Sequence, residues 1–180
     1  MLFLQELESR ALPDRFVSGF NLHRMIIIKK KEGVKKKVIT DKELRDLFKA
    51  ECKEHLEFLS DGLIYLEKNP ADSNTLEDLF REAHSLKGAA RIVGTPGIET
   101  IARRFENILG AAKRGETLLS SKIIDRLYHG LDSIQRLVYE AVTGEPSGIN
   151  VEEILAEIIG ESPPSTQPSP LAKISQKKDR

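Results

Sequence analysis

The 180-residue sequence has no tryptophan, a single cysteine and no long apolar run. Cys52 has no partner for an internal disulfide, so a reducing, cytoplasmic location is expected. The uncharged apolar stretches, such as Met25 to Ile28, are far shorter than the roughly 20 residues of a membrane-spanning helix. Residues 1–24 lack a basic start, an apolar stretch and a small-residue cleavage site, so no export signal is expected. The length suits one domain with appendages rather than a large multidomain enzyme.

The formal net charge is zero, but the charges are distributed unevenly. Residues 1–40 carry 9 basic and 4 acidic side chains, residues 41–160 carry 15 and 22, and residues 161–180 carry 4 and 2. The central segment is therefore acidic, and an acidic surface opposes binding to a nucleic-acid backbone. Neither a nucleic acid nor a membrane is expected as a partner of this segment.

Both ends of the chain differ in composition from the centre. Residues 29–37 contain six lysines and one glutamate, and such a run repels itself too strongly for the middle of a packed element. We predict that residues 1–40 form a weakly ordered basic extension, with nucleic-acid or membrane contact through the lysines as the alternative. Residues 161–180 hold four prolines among serine, threonine and glutamine, which predicts a linker. The folded domain is predicted to span residues 41–160.

Within residues 41–160 the apolar residues recur at helical spacing, and no stretch alternates with the period of a strand. Four amphipathic helices are predicted, the first opening with a capping box at Thr40 and Glu43. Thr95 would cap the third helix, and Ser120 or Ser121 would cap the fourth. Because the connections are short, neighbouring helices should run in opposite directions. The sequence predicts an all-α, antiparallel up-down-up-down four-helix bundle, with a short fifth helix over residues 151–159 on its flank.

The second predicted helix carries side chains that packing does not explain. His84 lies about 120° from the centre of its apolar stripe, at the exposed edge. Gly88 follows one turn later, and a glycine inside a helix costs about 1 kcal/mol relative to alanine. This glycine suggests that a partner approaches the helix there. Lys87 and Arg91 add positive charge that would stabilise a bound dianion.

These residues fit a phosphoacceptor better than they fit acid–base or metal chemistry. A neutral imidazole is a good nucleophile near pH 7, and its phosphoramidate can pass the phosphoryl group onward. A metal site would require ligands three or four residues from His84, where Phe80, Arg81, Lys87 and Gly88 stand. Glycine-rich phosphate loops are absent, so no ATP site, cofactor or metal is predicted. The alternative is a structural helical adaptor in which His84 is only a solvated surface residue.

The segment from Phe80 to Ala90 reads Phe-Arg-Glu-Ala-His-Ser-Leu-Lys-Gly-Ala-Ala. It resembles the signature of histidine phosphotransfer (HPt) domains, in particular the phosphoacceptor domain of CheA-type chemotaxis histidine kinases. The similarity extends from about Asp41 to Ile159 and is most specific at His-Ser-Leu-Lys-Gly. The resemblance implies a cytoplasmic phosphocarrier of a chemotaxis-like phosphorelay, without enzymatic activity of its own.

The resemblance also implies roles for individual residues. His84 would accept a phosphoryl group from the ATP-binding domain of a histidine kinase and pass it to an aspartate of a response-regulator receiver domain. Lys87 would support the phosphoryl group. Glu106 would hold the imidazole through one nitrogen and leave the other free to attack.

Partner docking would use Gly88, Arg91 and Arg103. Arg103 stands one turn before Glu106, where chemotaxis relatives carry a second histidine, so the tuning of His84 is expected to differ from theirs. A chemotaxis kinase would continue through the proline-rich segment into further domains. The chain is therefore expected to be a separate phosphotransfer protein or the front part of a split or truncated kinase.

The other three histidines lack the Lys-Gly neighbourhood of His84. We predict that His23, His55 and His129 are surface or boundary residues.

Overall fold

The structure is a computed structural model that describes Ile39 and residues 41–160. The predictions for residues 1–38, which include His23, and for residues 161–180 lie outside the described residues. Within the described part the chain forms five helices: α1 Lys42–Lys68, α2 Ser73–Val93, α3 Pro96–Lys113, α4 Ser121–Thr143 and α5 Val151–Ile159.

The first four helices form an antiparallel bundle. Each packs against the next along the chain, and α4 returns to pack against α1. The seam between α2 and α3 is therefore on the opposite side of the bundle from the seam between α1 and α4. Helix α5 packs across α3 and α4 and buries Ile158. The predicted all-α bundle with a flanking fifth helix is confirmed.

The ends of the helices follow the sequence signals, with three local differences. One of them is that Ser120, at the N-cap position of α4, makes no side-chain capping hydrogen bond. Asp41, not Thr40, is the N-cap of α1: its carboxylate accepts from the backbone N–H of Leu44 at 2.9 Å. Both residue types cap well, but a carboxylate also stabilises the positive end of the helix dipole. Thr95 occupies the N-cap position of α3, yet its hydroxyl donates to the carbonyl of Ala90 instead of capping.

The apolar stripes of the four long helices meet in one core. Cys52 is fully buried there, as expected of a core residue, and burial, reinforced by the neighbouring Glu51, raises the pKa of its thiol. Such a thiol is unreactive. The largest fully buried side chains are Phe48, Phe105, Leu44, Leu59, Leu63, Leu66, Leu79, Leu86, Ile98, Ile101 and Leu109.

The prediction that His55 is a surface or boundary residue is wrong. Its side chain is only 3% exposed and lies between α1 and α2, with Nδ1 2.6 Å from Glu82 Oε1 and Nε2 3.4 Å from Glu51 Oε1. Burial by itself would lower the pKa of His55, but the hydrogen bond to Glu82 and the close, negatively charged carboxylates of Glu51 and Glu82 outweigh it and raise the pKa to about 9. His55 therefore joins two helices as a buried imidazolium.

This cluster predicts a pH dependence of stability. The folded pKa of His55 is raised to about 9 from 6.5. Its contribution to stability is therefore fully present below pH 6.5 and is lost as the pH rises through 9. The loss is on the order of 3 kcal/mol for a shift of this size. Urea unfolding of the wild type and of His55→Gln between pH 6 and 9.5 measures it. The slope of unfolding free energy against pH should flatten in the variant, and an equal slope in both proteins would contradict this assignment.

Candidate functional site

The seam between α2 and α3 brings the predicted site residues together. Helix α2 buries Ala83 and Leu86 and leaves His84 at its edge, with 62% of the side chain exposed. Helix α3 buries Phe105 and places Glu106 opposite His84. The exposed position predicted for His84 is confirmed, and its contact with Glu106 is present.

Glu106 fixes the tautomer of His84. Nδ1 of His84 lies 2.8 Å from Oε1 of Glu106, and an ionised carboxylate can only accept a hydrogen bond. Nδ1 therefore carries the hydrogen and donates, so in the neutral imidazole the lone pair resides on Nε2. The exposed imidazole thus has one nitrogen held by the protein and one available as a nucleophile.

Lys87 is the second partner of Glu106. Its ammonium donates to Oε2 of Glu106 at 2.5 Å and lies 3.3 Å from Nδ1 of His84. The ammonium of Lys87 and the protonated Nδ1 of His84 are both donors, so they do not bond to each other. The carboxylate of Glu106 accepts from both and holds them together. Both Lys87 and Glu106 are largely buried, with side chains 16% and 15% exposed. The charge pair is therefore less screened than a surface pair.

The carboxylate of Glu106 stays ionised at neutral pH. Burial alone would raise its pKa, but the hydrogen bonds from Lys87 and His84, together with their positive charges, produce a net lowering of the pKa of Glu106. An ionised Glu106 is the form that orients the imidazole and stabilises positive charge on its ring.

Two arginines lie on the same seam, on either side of a carboxylate that sequence reasoning did not single out. Arg91 donates to Glu99 Oε1 through Nε at 3.0 Å and Nη2 at 2.8 Å, and Arg103 donates to the same oxygen at 2.8 Å. The hydrogen bond from Arg91 is the main cause of the lowered pKa of Glu99. The i,i+4 spacing of Glu99 and Arg103 was the available signal in the sequence.

Two contacts between α2 and α3 show where Gly88 and Arg103 lie on the seam. His84 faces Glu106 and Arg91 faces Glu99, so Gly88 on α2 and Arg103 on α3 both fall between these two contacts. Gly88 is half-buried within the helix. The seam therefore presents, next to His84, a position without a side chain and two arginines whose side chains are 65% and 53% exposed.

The described part of the chain has neither a metal-binding cluster nor a membrane-spanning helix. No group of three or more histidine, cysteine and acidic residues there could hold a metal ion. None of the helices in Asp41–Gly160 is long and apolar enough to cross a membrane. His129 is exposed, as predicted, with Nδ1 2.9 Å from Glu157.

Comparison with known proteins assigns the family. The model of the Hpt domain family matches residues 43–137. This chain belongs to the Hpt domain family. It is 32% identical over 113 residues to the chemotaxis protein CheA of Bacillus subtilis, covering 63% of this chain and 17% of the relative. It is 31% identical over 126 residues to the gliding motility regulatory protein of Myxococcus xanthus, covering 69% and 16%.

Two solved structures have the same fold as this Hpt domain. The CheA phosphotransferase domain from Thermotoga maritima superimposes with a TM-score of 0.53 at 37% identity, covering 54% of this chain and 93% of that one. The solution structure of the histidine phosphotransfer domain of CheA superimposes with a TM-score of 0.57 at 32% identity, covering 67% and 92%. The chain thus spans nearly all of these isolated domains but less than a fifth of the full-length relatives. The described part of the chain is therefore similar to the phosphotransfer domains of CheA proteins.

Proposed function

We propose that Nε2 of His84 receives a phosphoryl group from ATP bound to the catalytic domain of a histidine kinase and passes it to an aspartate of a receiver domain. The observation that carries this proposal is the hydrogen bond from Nδ1 of His84 to Glu106. It leaves Nε2 as an oriented, unprotonated nitrogen on an exposed side chain.

The phosphoryl group is transferred in two steps. The Nε2 lone pair forms a bond to the γ-phosphorus as the bond from phosphorus to the ADP oxygen breaks. Because Nδ1 keeps its hydrogen, the ring becomes cationic, and the ionised Glu106 stabilises that charge. In the second step the receiver carboxylate attacks phosphorus, the N–P bond breaks, and the neutral imidazole is restored.

Lys87 and the arginines supply positive charge around this reaction. Lys87 lies 3.3 Å from His84 Nδ1, so its ammonium adds positive charge beside the ring that carries the phosphoryl group and also keeps Glu106 in place. Arg91 and Arg103, each sharing Glu99, are one to two turns farther along the seam. We assign them, with Gly88, to docking of the kinase and receiver domains.

The direct test is phosphate incorporation from labelled ATP in the presence of a CheA-type kinase catalytic domain. Phosphohistidine is labile in acid and stable in alkali, unlike phosphoserine or phosphoaspartate. We expect one acid-labile, alkali-stable phosphate per chain, discharged when a receiver domain is added. A structural adaptor would take up none. The full 180-residue chain is the protein that is phosphorylated in this assay.

Glu106 and Lys87 should each affect the rate. Glu106→Gln replaces the ionised acceptor and should slow phosphorylation by roughly 10- to 100-fold, by analogy with the loss of a carboxylate that orients a metal-bound histidine. Lys87→Met should also slow it, because the phosphoryl group loses a nearby positive charge. Glu116→Gln, at an exposed carboxylate paired with Arg114 away from the site, is the matched control. Wild-type rates in both site variants would show that His84 acts without them.

A further inference from the structure

The charges of the bundle are divided unevenly between its two halves. Residues 73–114, which form α2, α3 and the link between them, carry 7 basic and 5 acidic side chains. The rest of residues 41–160, with α1, α4 and α5, carries 8 basic and 17 acidic side chains. One acidic group of the first half, Glu82, is paired with the buried His55. The half of the bundle that holds His84 is therefore basic, and the other half is strongly acidic.

Arg91 and Arg103, the arginine pair, have more charge and more donors than Glu99 can match. A guanidinium has five N–H donors. Arg91 uses two of its nitrogens and Arg103 uses one, all for Oε1 of Glu99, and within residues 41–160 the structure gives neither guanidinium another hydrogen-bond partner. Both arginine side chains are more than half exposed. The arginine pair thus keeps one net positive charge and has donors left for a second carboxylate.

Glu99 holds the arginine pair together across the seam. Its side chain is 19% exposed, and its carboxylate accepts from Arg91 on α2 and from Arg103 on α3. A guanidinium that is already held in place loses less side-chain freedom when it binds a further group. The arginine pair is therefore preorganised for binding.

The arginine pair lies within the area that a protein docked on His84 covers. Arg91 follows His84 by seven residues, which is about 10 Å along α2 at the rise of a helix. Arg103 precedes Glu106, which bonds to His84, by one turn. Stable protein interfaces cover about 800 Å² per partner, equivalent to a disc of about 16 Å radius. A partner centred on His84 therefore contacts the arginine pair as well.

The second transfer step brings two anions together next to the arginine pair. The receiver carboxylate attacks a phosphoryl group that is itself anionic, and the two repel each other on approach. Lys87 is paired with Glu106, so its charge is locally balanced. The net positive charge of the arginine pair offsets this repulsion, because charges about one Debye length apart still interact.

We propose that the arginine pair is the docking site for an acidic surface patch of the receiver domain, beside its phosphoaccepting aspartate. This inference rests on the proposed function of His84 and names the chemistry of one partner. The planar fork of a guanidinium suits a carboxylate. The acidic half of the bundle repels the same patch, so the charge division also orients the receiver towards α2 and α3 during encounter.

Transfer from phosphorylated His84 to a receiver domain tests the docking site. The full chain is loaded with potassium phosphoramidate, so that no kinase takes part, and is mixed with increasing amounts of a chemotaxis receiver domain at low and at high salt. Arg91→Gln with Arg103→Gln removes the arginine pair. Lys49→Gln with Lys53→Gln, at exposed positions of α1, removes the same charge from the other half of the bundle. Circular dichroism and urea unfolding verify that each variant is folded.

We expect the second-order rate constant of transfer at low salt to fall about tenfold in the arginine variant and by no more than about twofold in the lysine variant. The limiting rate at saturating receiver should change much less, because the arginine pair does not touch the reacting atoms. High salt should remove most of the difference between the variants. Arg91→Lys with Arg103→Lys keeps both charges and should keep the salt dependence of the wild type.

Two results would overturn the docking site alone. One is a second-order rate constant of the arginine variant equal to that of the wild type at low salt, and the other is an equal loss in the lysine variant. In both cases the wild type still transfers its phosphoryl group, so the proposed function stands. Absence of transfer from the phosphorylated wild type would instead contradict the proposed function, and the docking site with it.

Discussion

Replacing His84 with glutamine should abolish phosphate uptake and leave the bundle folded. The side chain is 62% exposed and buries little surface, so the free energy of unfolding should change by no more than about 0.5 kcal/mol. Glutamine can still donate a hydrogen bond to Glu106, but it has no nucleophilic nitrogen. The variant therefore tests the loss of phosphate uptake without a change in fold stability.

His129 provides a matched control for this experiment. It is also exposed, with a side chain 65% accessible, and its Nδ1 also contacts a glutamate, Glu157, at 2.9 Å. His129→Gln should be phosphorylated at the wild-type rate by a CheA-type catalytic domain and labelled ATP. If His84→Gln incorporated label like the wild type, or if His129→Gln lost it, the assignment of His84 would be wrong.

Replacing Gly88 with leucine should block transfer between proteins while the fold is retained. Gly88 lies inside α2 with helical backbone, so Gly88→Ala should stabilise the protein by up to about 1 kcal/mol through helix propensity. A leucine keeps the helix but adds bulk beside His84, where we place the partner. Phosphotransfer should therefore fall steeply from glycine to alanine to leucine, while thermal stability holds or rises.

A small phosphodonor distinguishes docking from chemistry in this series. Potassium phosphoramidate needs no protein interface, so it should label Gly88→Leu and the wild type alike, and only exchange with the kinase and receiver domains should be lost. Ala50→Leu, at an exposed position of α1, is the control for added bulk on another face. Normal exchange by Gly88→Leu, or unfolding of Gly88→Ala, would show that this glycine serves helix packing instead.

The helices were predictable because their signals are local. The apolar periodicity and the break at Asn69-Pro70 specify α1, and Gly94 in the left-handed conformation at φ 82° ends α2. The N-cap of α1 was assigned one residue early because Thr40 and Asp41 are both good caps, and only the backbone geometry selects between adjacent candidates.

The site was predictable only in part, for a physical reason. The exposure of His84 follows from helical periodicity, but its partner Glu106 is 22 residues away on another helix, and the family resemblance, not the spacing, indicated it. Contacts between helices have no local signature. His55 is an example. The sequence suggested a surface or boundary residue, whereas Glu82 on α2 makes it a buried ion-pair partner.

The central claim is that Nε2 of His84 carries the phosphoryl group while Nδ1 keeps its hydrogen bond to Glu106. Nuclear magnetic resonance of the phosphorylated, ¹⁵N-labelled protein tests it through the coupling between phosphorus and the ring nitrogens. The account predicts a one-bond coupling of ³¹P to Nε2 of His84 and a retained proton on Nδ1. Coupling to Nδ1, or a phosphate on any other residue, would contradict it.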